Sequence, residues 1–446
     1  MLTAAVAAVA ACSTYSSQAP LIRQALLEDD YETAIKEVEK IDRSGSELLY
    51  CYELGMVLHE QGDYAASNAT FERAEQVFDE LYTKSISREI GAAVVNENLV
   101  KFRGDAFEAV LVNYYKILNY LFLGQTSDAL VECRRLNRKL QILHDAGETY
   151  FVDDAFLQYL TGLVYEHGGE PQSAEVSYRA AFREYERDST VTAPPWLECD
   201  AAQNALRVGD ASLAASYAGD KDSPCLAETG TRGRVAVLIE TGTVARKVQN
   251  ALTLPIFEND DCSRSNFSND LYERRHGYNQ GIKVKYWLRV ALPVMETDPP
   301  VEHRAVVRAS PVPATRPEAV TEVSGVRVED LDFQAQRAYA EKEATVMLRA
   351  IGRALAKYLA SEVASDKDEG LGALINLLGV VTESADTRSW TTLPGTIQLA
   401  RLDLEPGKYR IDVDVVDPHG LLLVHRSFDD VEVRTGGLEV RRVRLR

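Results

Sequence analysis

The spacing of apolar residues changes character once along the chain. Through the first half, apolar positions recur every three or four residues in runs of helical length, broken by Gly-Asp and Asp-Asp pairs, a pattern of paired amphipathic helices. Residues 21–220 are therefore predicted to be an all-helical region, with Pro194-Pro195-Trp196 interrupting it and a last hairpin turning at Gly209-Asp210. Residues 221–234, with Pro224, Gly230 and Gly233, read as a linker. From residue 235 the period falls to two. Val235-Ala236-Val237-Leu238-Ile239 is a short β-branched run of the kind buried on both faces. Val284, Tyr286, Leu288 and Val290 alternate with Lys283, Lys285, Trp287 and Arg289 as a strand with one polar face. Residues 303–309 and 321–328 are further strand candidates, and four strands are expected at 397–404, 408–416, 421–433 and 438–445, turning at Pro406-Gly407 and Pro418-His419-Gly420. A helical insertion is expected over 332–381, comprising one long helix and the dense apolar segment Leu371 to Val381. Strands without strand–helix–strand alternation predict an α+β domain over 235–446 whose sheet is mainly antiparallel and sandwich-like.

Within the helical half there is a repeat. From Gly55, the residues Gly62, Ser67, Phe71 and Ala74 follow at the same offsets as Gly169, Ala174, Tyr178 and Ala181 from Gly162. This pattern resembles the tetratricopeptide repeat, in which small residues let two helices approach and an aromatic fills the gap to the next hairpin. Degenerate copies lie around Asp30-Tyr31 with Ala34 and Val38, and around Tyr120, Gly124, Ala129 and Cys133. The resemblance implies a solenoid with a groove that binds protein segments. Tyr114, Tyr115, Tyr120, Tyr159, Tyr165 and Tyr178 then read as packing residues. The acidic runs Glu28-Asp29-Asp30 and Asp153-Asp154 read as helix-start and solvated-face charges.

Composition sharpens this picture. The chain has 446 residues, is 46% hydrophobic and 26% charged, and carries a net charge of -19. These values fit folded domains and argue against nucleic acid as partner, because a phosphate backbone needs a basic footprint. The acid is concentrated: residues 1–230 hold 19 basic and 37 acidic side chains (-18), leaving 30 and 31 (-1) for residues 231–446. The groove should therefore be acidic. Glu53, Glu60 and Glu166, on or near the first helices of the two clear repeats, are the candidate partner-binding residues, and a basic protein segment is the expected partner.

The N-terminus carries a processing signal. A short Ala/Val run ends in Val9-Ala10-Ala11-Cys12, the form of a bacterial lipobox. Residues 1–11 are read as a lipoprotein signal peptide, Cys12 as the lipidated residue, and residues 12–20 as a polar tether. Met1-Leu2-Thr3 lacks the positive charge usual in such a leader. Ser13 after the cysteine resembles the default sorting of Gram-negative lipoproteins to the outer membrane, facing the periplasm. Of the other cysteines, Cys199 and Cys225 are the pair placed to form a disulfide, while Cys51 and Cys133 fall on packing faces.

A second resemblance covers nearly the whole mature chain. Val237-Leu238-Ile239-Glu240-Thr241-Gly242, Asp386-Thr387-Arg388-Ser389-Trp390, Leu393-Pro394 and Ala400-Arg401 resemble an uncharacterised bacterial lipoprotein family with helical repeats followed by such a C-terminal domain. That family is often met near lipoproteins that activate penicillin-binding proteins, which implies a setting in envelope or peptidoglycan-related assembly. Asp386, Arg388, Trp390 and Arg401 are its motif residues here. They read first as a structural knot, with Asp386 capping a turn, Arg388 paired to a carboxylate and Trp390 packed on the sheet. A small-ligand or enzyme site at Arg388 and Trp390 is the alternative. No zinc-ligand spacing, nucleophile turn or phosphate loop occurs, so neither catalytic residues, metal nor cofactor are expected. The leading expectation is a lipid-anchored periplasmic scaffold; a third reading is an assembly factor that exposes Leu371 to Val381 to a membrane.

Overall fold

The computed structural model describes residues 15–85, 101–145, 154–187, 191–219, 223–226, 232–257, 284–299, 302–313, 320–365 and 384–446. Cys12, Cys262, His276 and the apolar segment Leu371 to Val381 lie outside the described residues.

The first half is a tetratricopeptide-like stack of helical hairpins: α1 (Tyr15–Leu27) with α2 (Tyr31–Val38), α3 (Arg43–Gln61) with α4 (Tyr64–Ser85), α5 (Ala106–Phe122) with α6 (Thr126–Asp145), α7 (Ala155–His167) with α8 (Pro171–Arg187), and α9 (Leu197–Arg207) with α10 (Ala211–Ala218). The repeat offsets have a direct steric cause. A Cβ on Gly55 would lie 2.4 Å from the ring of Phe71, and one on Gly162 would lie 2.6 Å from that of Tyr178. Each glycine is the seat of the aromatic from the other helix of its hairpin. Ser67 and Ala174 are fully buried at the same contacts, and the Ser67 hydroxyl donates to the Gly55 carbonyl at 2.8 Å. The turn glycine Gly62 sits in left-handed backbone at φ 86°, as a helix end of this kind requires. Asp30 and Asp154 accept from the backbone N–H of Thr33 and Leu157, so the acidic runs do start helices. The described helix α1 begins at Tyr15, inside the segment expected to be tether, and Pro20 lies within it. A disulfide joins Cys199 on α9 to Cys225, and Cys51 and Cys133 are buried thiols.

The second half is built on ten strands among the described residues. One four-stranded sheet has the order β10 (Leu438–Leu445), β1 (Gly233–Thr241), β7 (Thr396–Leu404), β6 (Val326–Asp330); the other runs β5 (Thr321–Ser324), β4 (Arg304–Pro311), β8 (Gly407–Val416), β9 (Leu422–Val433). Pairing is antiparallel except between β1 and β10, which run parallel. The sheets pack as a sandwich around Val235, Val237, Ile239, Ala400, Leu402, Val307, Val413 and Val431. A ribbon of β2 (Arg246–Phe257) and β3 (Val284–Glu296) stands apart and packs through Leu288 and Val290 on α11 (Leu331–Ser365) at Ala350, Ala354 and Tyr358.

The first sheet has no free face. Val235, Val237 and Ile239 point into the sandwich, while Ala236 and Leu238 join the core of the helical stack. The continuous apolar run of β1 follows from this placement between two layers, since a strand with one wet face would alternate.

Candidate functional site: the acidic groove and the strand face within it

The groove contains the acids expected of it, and it is occupied by the chain's own C-terminal domain. On β10, Arg442 Nη2 lies 2.6 Å from Glu60 Oε1 and also bonds Glu240 on β1, whose second oxygen accepts from Tyr114 at 3.1 Å. Arg446 Nη2 is 2.6 Å from the other oxygen of Glu60. Burial pushes the Glu60 carboxyl up, but Arg442 and Arg446 beside it more than reverse this and hold it well below the usual carboxylate range. Glu166 is held by Arg207, by Arg234 of β1 at 2.6 Å and by the Tyr178 hydroxyl at 2.8 Å. On α9, Asp200 bonds Arg401 of β7, lies 3.2 Å from Arg234, and accepts from Tyr159 at 2.6 Å. The Glu60 and Glu166 side chains are each 6% exposed, and Glu53 is fully enclosed. The basic surface expected of an outside partner is in this structure supplied in cis by β1, β7 and β10.

Glu53 meets neutral donors instead. It accepts from the Thr391 N–H at 2.9 Å, the Thr392 hydroxyl at 2.6 Å and the Tyr15 hydroxyl. Burial raises its carboxyl above the ordinary value, because no cation compensates the lost water. Tyr15 also donates to the Ser389 carbonyl at 2.7 Å, so the start of α1 is fastened to the far domain.

The motif residues form the centre of this joint. Trp390 is fully buried and stacks on Tyr52 of α3, with ring centroids 4.6 Å apart and planes 19° from parallel. Phe71 and Tyr115 lie 5.8 Å and 6.1 Å away. Trp390 shares a core with Ala236, Leu238 and Leu399 of the first sheet, and the helical stack supplies the aromatic surface it stacks on. Its backbone N–H donates to Glu108 at 2.7 Å and its indole N–H to Thr392 at 3.0 Å. Arg388 makes a two-pronged pair with Asp386, at 2.8 Å and 2.7 Å, and reaches across to the Gly45 carbonyl at 3.0 Å. Asp386 also accepts from the Arg388 N–H, as a turn cap does. Arg401 bonds Asp200 and Asp403. Arg388 and Trp390 are 7% and 0% exposed.

A second cluster was not foreseen. Asp105, at the start of α5, receives Lys247 of β2 at 3.0 Å and Lys342 of α11 at 2.9 Å. Burial alone would raise its carboxyl, but the two lysines hold it far below the usual range. Glu108, one turn on, bonds the Asp105 N–H at 2.8 Å and has no cation of its own. Burial, and next the Asp105 charge, push it up to about 7. Only the Asp105–Glu108 capping-box spacing is visible in sequence; Lys247 and Lys342 carry no local signal.

Glu72, Glu75 and Glu132 bring three carboxylates close enough to hold a cation. Their charge is instead met by Lys116, which lies 2.7, 2.5 and 3.0 Å from them, and by Arg135 and Lys139. The smaller cavity, about 120 Å³, lies at the joint and is lined by Arg207, Arg232, Arg234 and Arg401 against Glu166 and Asp403.

No protein-family model and no curated protein matches the chain. Among solved structures, the helical half is similar to the apo form of RapI (13% identity, TM-score 0.32, 46% of this chain and 51% of that one). It is also similar to the Rap conjugation gene regulator of plasmid pLS20 in complex with the Phr* peptide (16%, TM-score 0.26, 46% and 51%). A third is a putative kinesin light chain from Podosopora anserina with TPR-like repeats (14%, TM-score 0.30, 45% and 90%). The matched part spans about half the length of the two Rap chains.

Proposed function

We propose that this chain is a non-enzymatic scaffold lipoprotein of the bacterial envelope. Lipid on Cys12 would hold it to the outer membrane on the periplasmic side, in envelope or peptidoglycan-related assembly. The observation that carries the scaffold reading is the filled groove. The repeats already engage a protein surface, their own C-terminal domain, and so fix it in one orientation instead of leaving it on a free linker. What the assembled body offers outward is the β2–β3 ribbon with α11, where Trp287, Leu348 and Leu359 are 58%, 72% and 52% exposed. Protein partners would meet the scaffold there. Acidic carboxylates such as Glu60 and Glu166 serve the internal joint.

Two measurements test this. In a cross-linking pull-down from envelope extract, Trp287→Ser with Leu348→Ser should lose the captured partner while the fold persists by circular dichroism. Capture that survives that pair but is lost with Glu166→Lys would place binding in the groove instead. Cys12→Ala, expressed with its native upstream region, should leave the membrane fraction; continued fractionation with outer membrane would sink the lipid-anchor reading.

A further inference from the structure

The larger cavity, about 390 Å³, opens between α1 and the edge of the first sheet. Four arginines line it, Arg23 of α1, Arg246 of β2, and Arg444 and Arg446 of β10, against one carboxylate, Asp298. The smaller cavity also has four arginines, but Arg207, Arg232, Arg234 and Arg401 each have a carboxylate partner. In the larger one, Asp298 is already engaged, accepting from Thr243 at 2.6 Å and from Arg246 at 3.0 Å. Arg446 is engaged too, with Glu60 and the Leu26 carbonyl. Arg23 and Arg444 have no ion-pair partner among the described residues.

Arg444 is the anomaly. Its Nε and Nη1 are buried and have no hydrogen-bond acceptor. A guanidinium stays charged in a protein, and leaving its buried N–H groups unmet costs more than a neutral donor would. Buried polar groups are paired in the great majority of cases, so an unpaired one at the wall of a cavity marks a missing acceptor. The planar fork of a guanidinium fits the oxygens of phosphate. The cavity lies within the usual size range of small-ligand sites, about 300–1,000 Å³. Its rim adds an apolar element: Leu26 and Leu27 line it, and Leu27 is 55% exposed.

We propose that this cavity binds a phosphate group, with Arg444 at its floor and Arg23 at its mouth. The leucine rim suits an amphiphile, so the phosphate could belong to a phospholipid headgroup or to a soluble phosphate ester. The site stands whether or not Cys12 is lipidated.

The test uses the Cys12→Ala chain, so that no acyl anchor contributes. Inorganic phosphate should raise its melting temperature, and titration calorimetry should detect binding. Arg444→Gln and Arg23→Ala should each weaken that binding at least about tenfold, while Arg434→Ala, on the exposed β9 end, should not. Arg444→Gln removes a buried unpaired charge and is expected to fold; Arg23→Ala, near the surface, keeps the test open if it does not. Flotation with phosphatidylglycerol vesicles but not phosphatidylcholine vesicles, suppressed by phosphate and lost in Arg23→Ala, identifies a headgroup site. Phosphate binding without flotation identifies a soluble ester. No phosphate binding, or binding that survives both arginine substitutions, overturns the proposal.

Discussion

Glu108 shows how a single buried carboxyl sets the pH response of the joint. Its folded value of about 7 lies above the ordinary 4.5. The folded state therefore prefers the protonated acid. The stabilisation is complete below the ordinary value and disappears as pH rises toward 7. Glu53 is raised in the same sense. Glu60 and Asp105 are lowered, so their contribution is complete above the ordinary value and is lost as pH falls below it. The Glu108 contribution should then decline from about pH 5 toward neutrality, opposed by His59, which burial lowers to about 4 and whose contribution is lost as pH falls below the ordinary 6.5. Denaturant midpoints at acidic and neutral pH would show it, and Glu108→Gln should flatten the decline. An unaltered pH profile in that variant would remove Glu108 as its source. Gly55 carries a second residue-level prediction. Alanine is ordinarily the better helix former by about 1 kcal/mol. Here its Cβ would meet Phe71 at 2.4 Å, and Phe71 in turn supports Trp390. Strain should win, with a net loss of about 1–3 kcal/mol, read as a lower denaturant midpoint and altered tryptophan fluorescence.

At the scale of elements, the hairpins were legible because their contacts are local. The glycine and the ring it accommodates are sixteen residues apart in both clear repeats, and the helices that carry them are neighbours in sequence. Ser67→Leu and Ala174→Leu should each overpack a hairpin by about 1–3 kcal/mol; unchanged unfolding midpoints in both would refute the alignment. The tail strands were legible too, since β8 and β9 are joined by short turns. Two elements escaped. α1 begins in a stretch whose serines and Pro20 read as coil, and its helical start is secured by tertiary bonds of Tyr15 to Glu53 and Ser389. β2 pairs with β3 among the described residues; its Leu252, Leu254 and Ile256 alternate with Thr253 and Pro255, but Asn250 and Pro255 break the strand signal. The charge of the groove could be read from sequence, but its occupant could not. Glu60 and Arg442 are 382 residues apart, and no local pattern links them.

For the whole molecule, the joint makes two domains of different composition into one folding unit. Glu240 is fully buried, and Arg442 is the cation it contacts. Arg442→Met would leave that carboxylate without its counter-charge, a change that costs about 3–5 kcal/mol in comparable buried pairs. The expected result is separate unfolding transitions for the two halves, or protease cutting between residues 219 and 233, where the native chain should unfold in a single transition. A single transition at the wild-type midpoint would mean that the joint contributes little to stability. Because these pairs are enclosed, the midpoint of the native chain should also change little between low and high salt, unlike that of surface pairs.

Because β10 is the last strand described and pairs parallel to β1, the cations that meet Glu60 and Glu240 come from the far end of the chain. A chain cut short before β10 should therefore keep an acidic face with no counter-charge and leave β1 as a bare sheet edge.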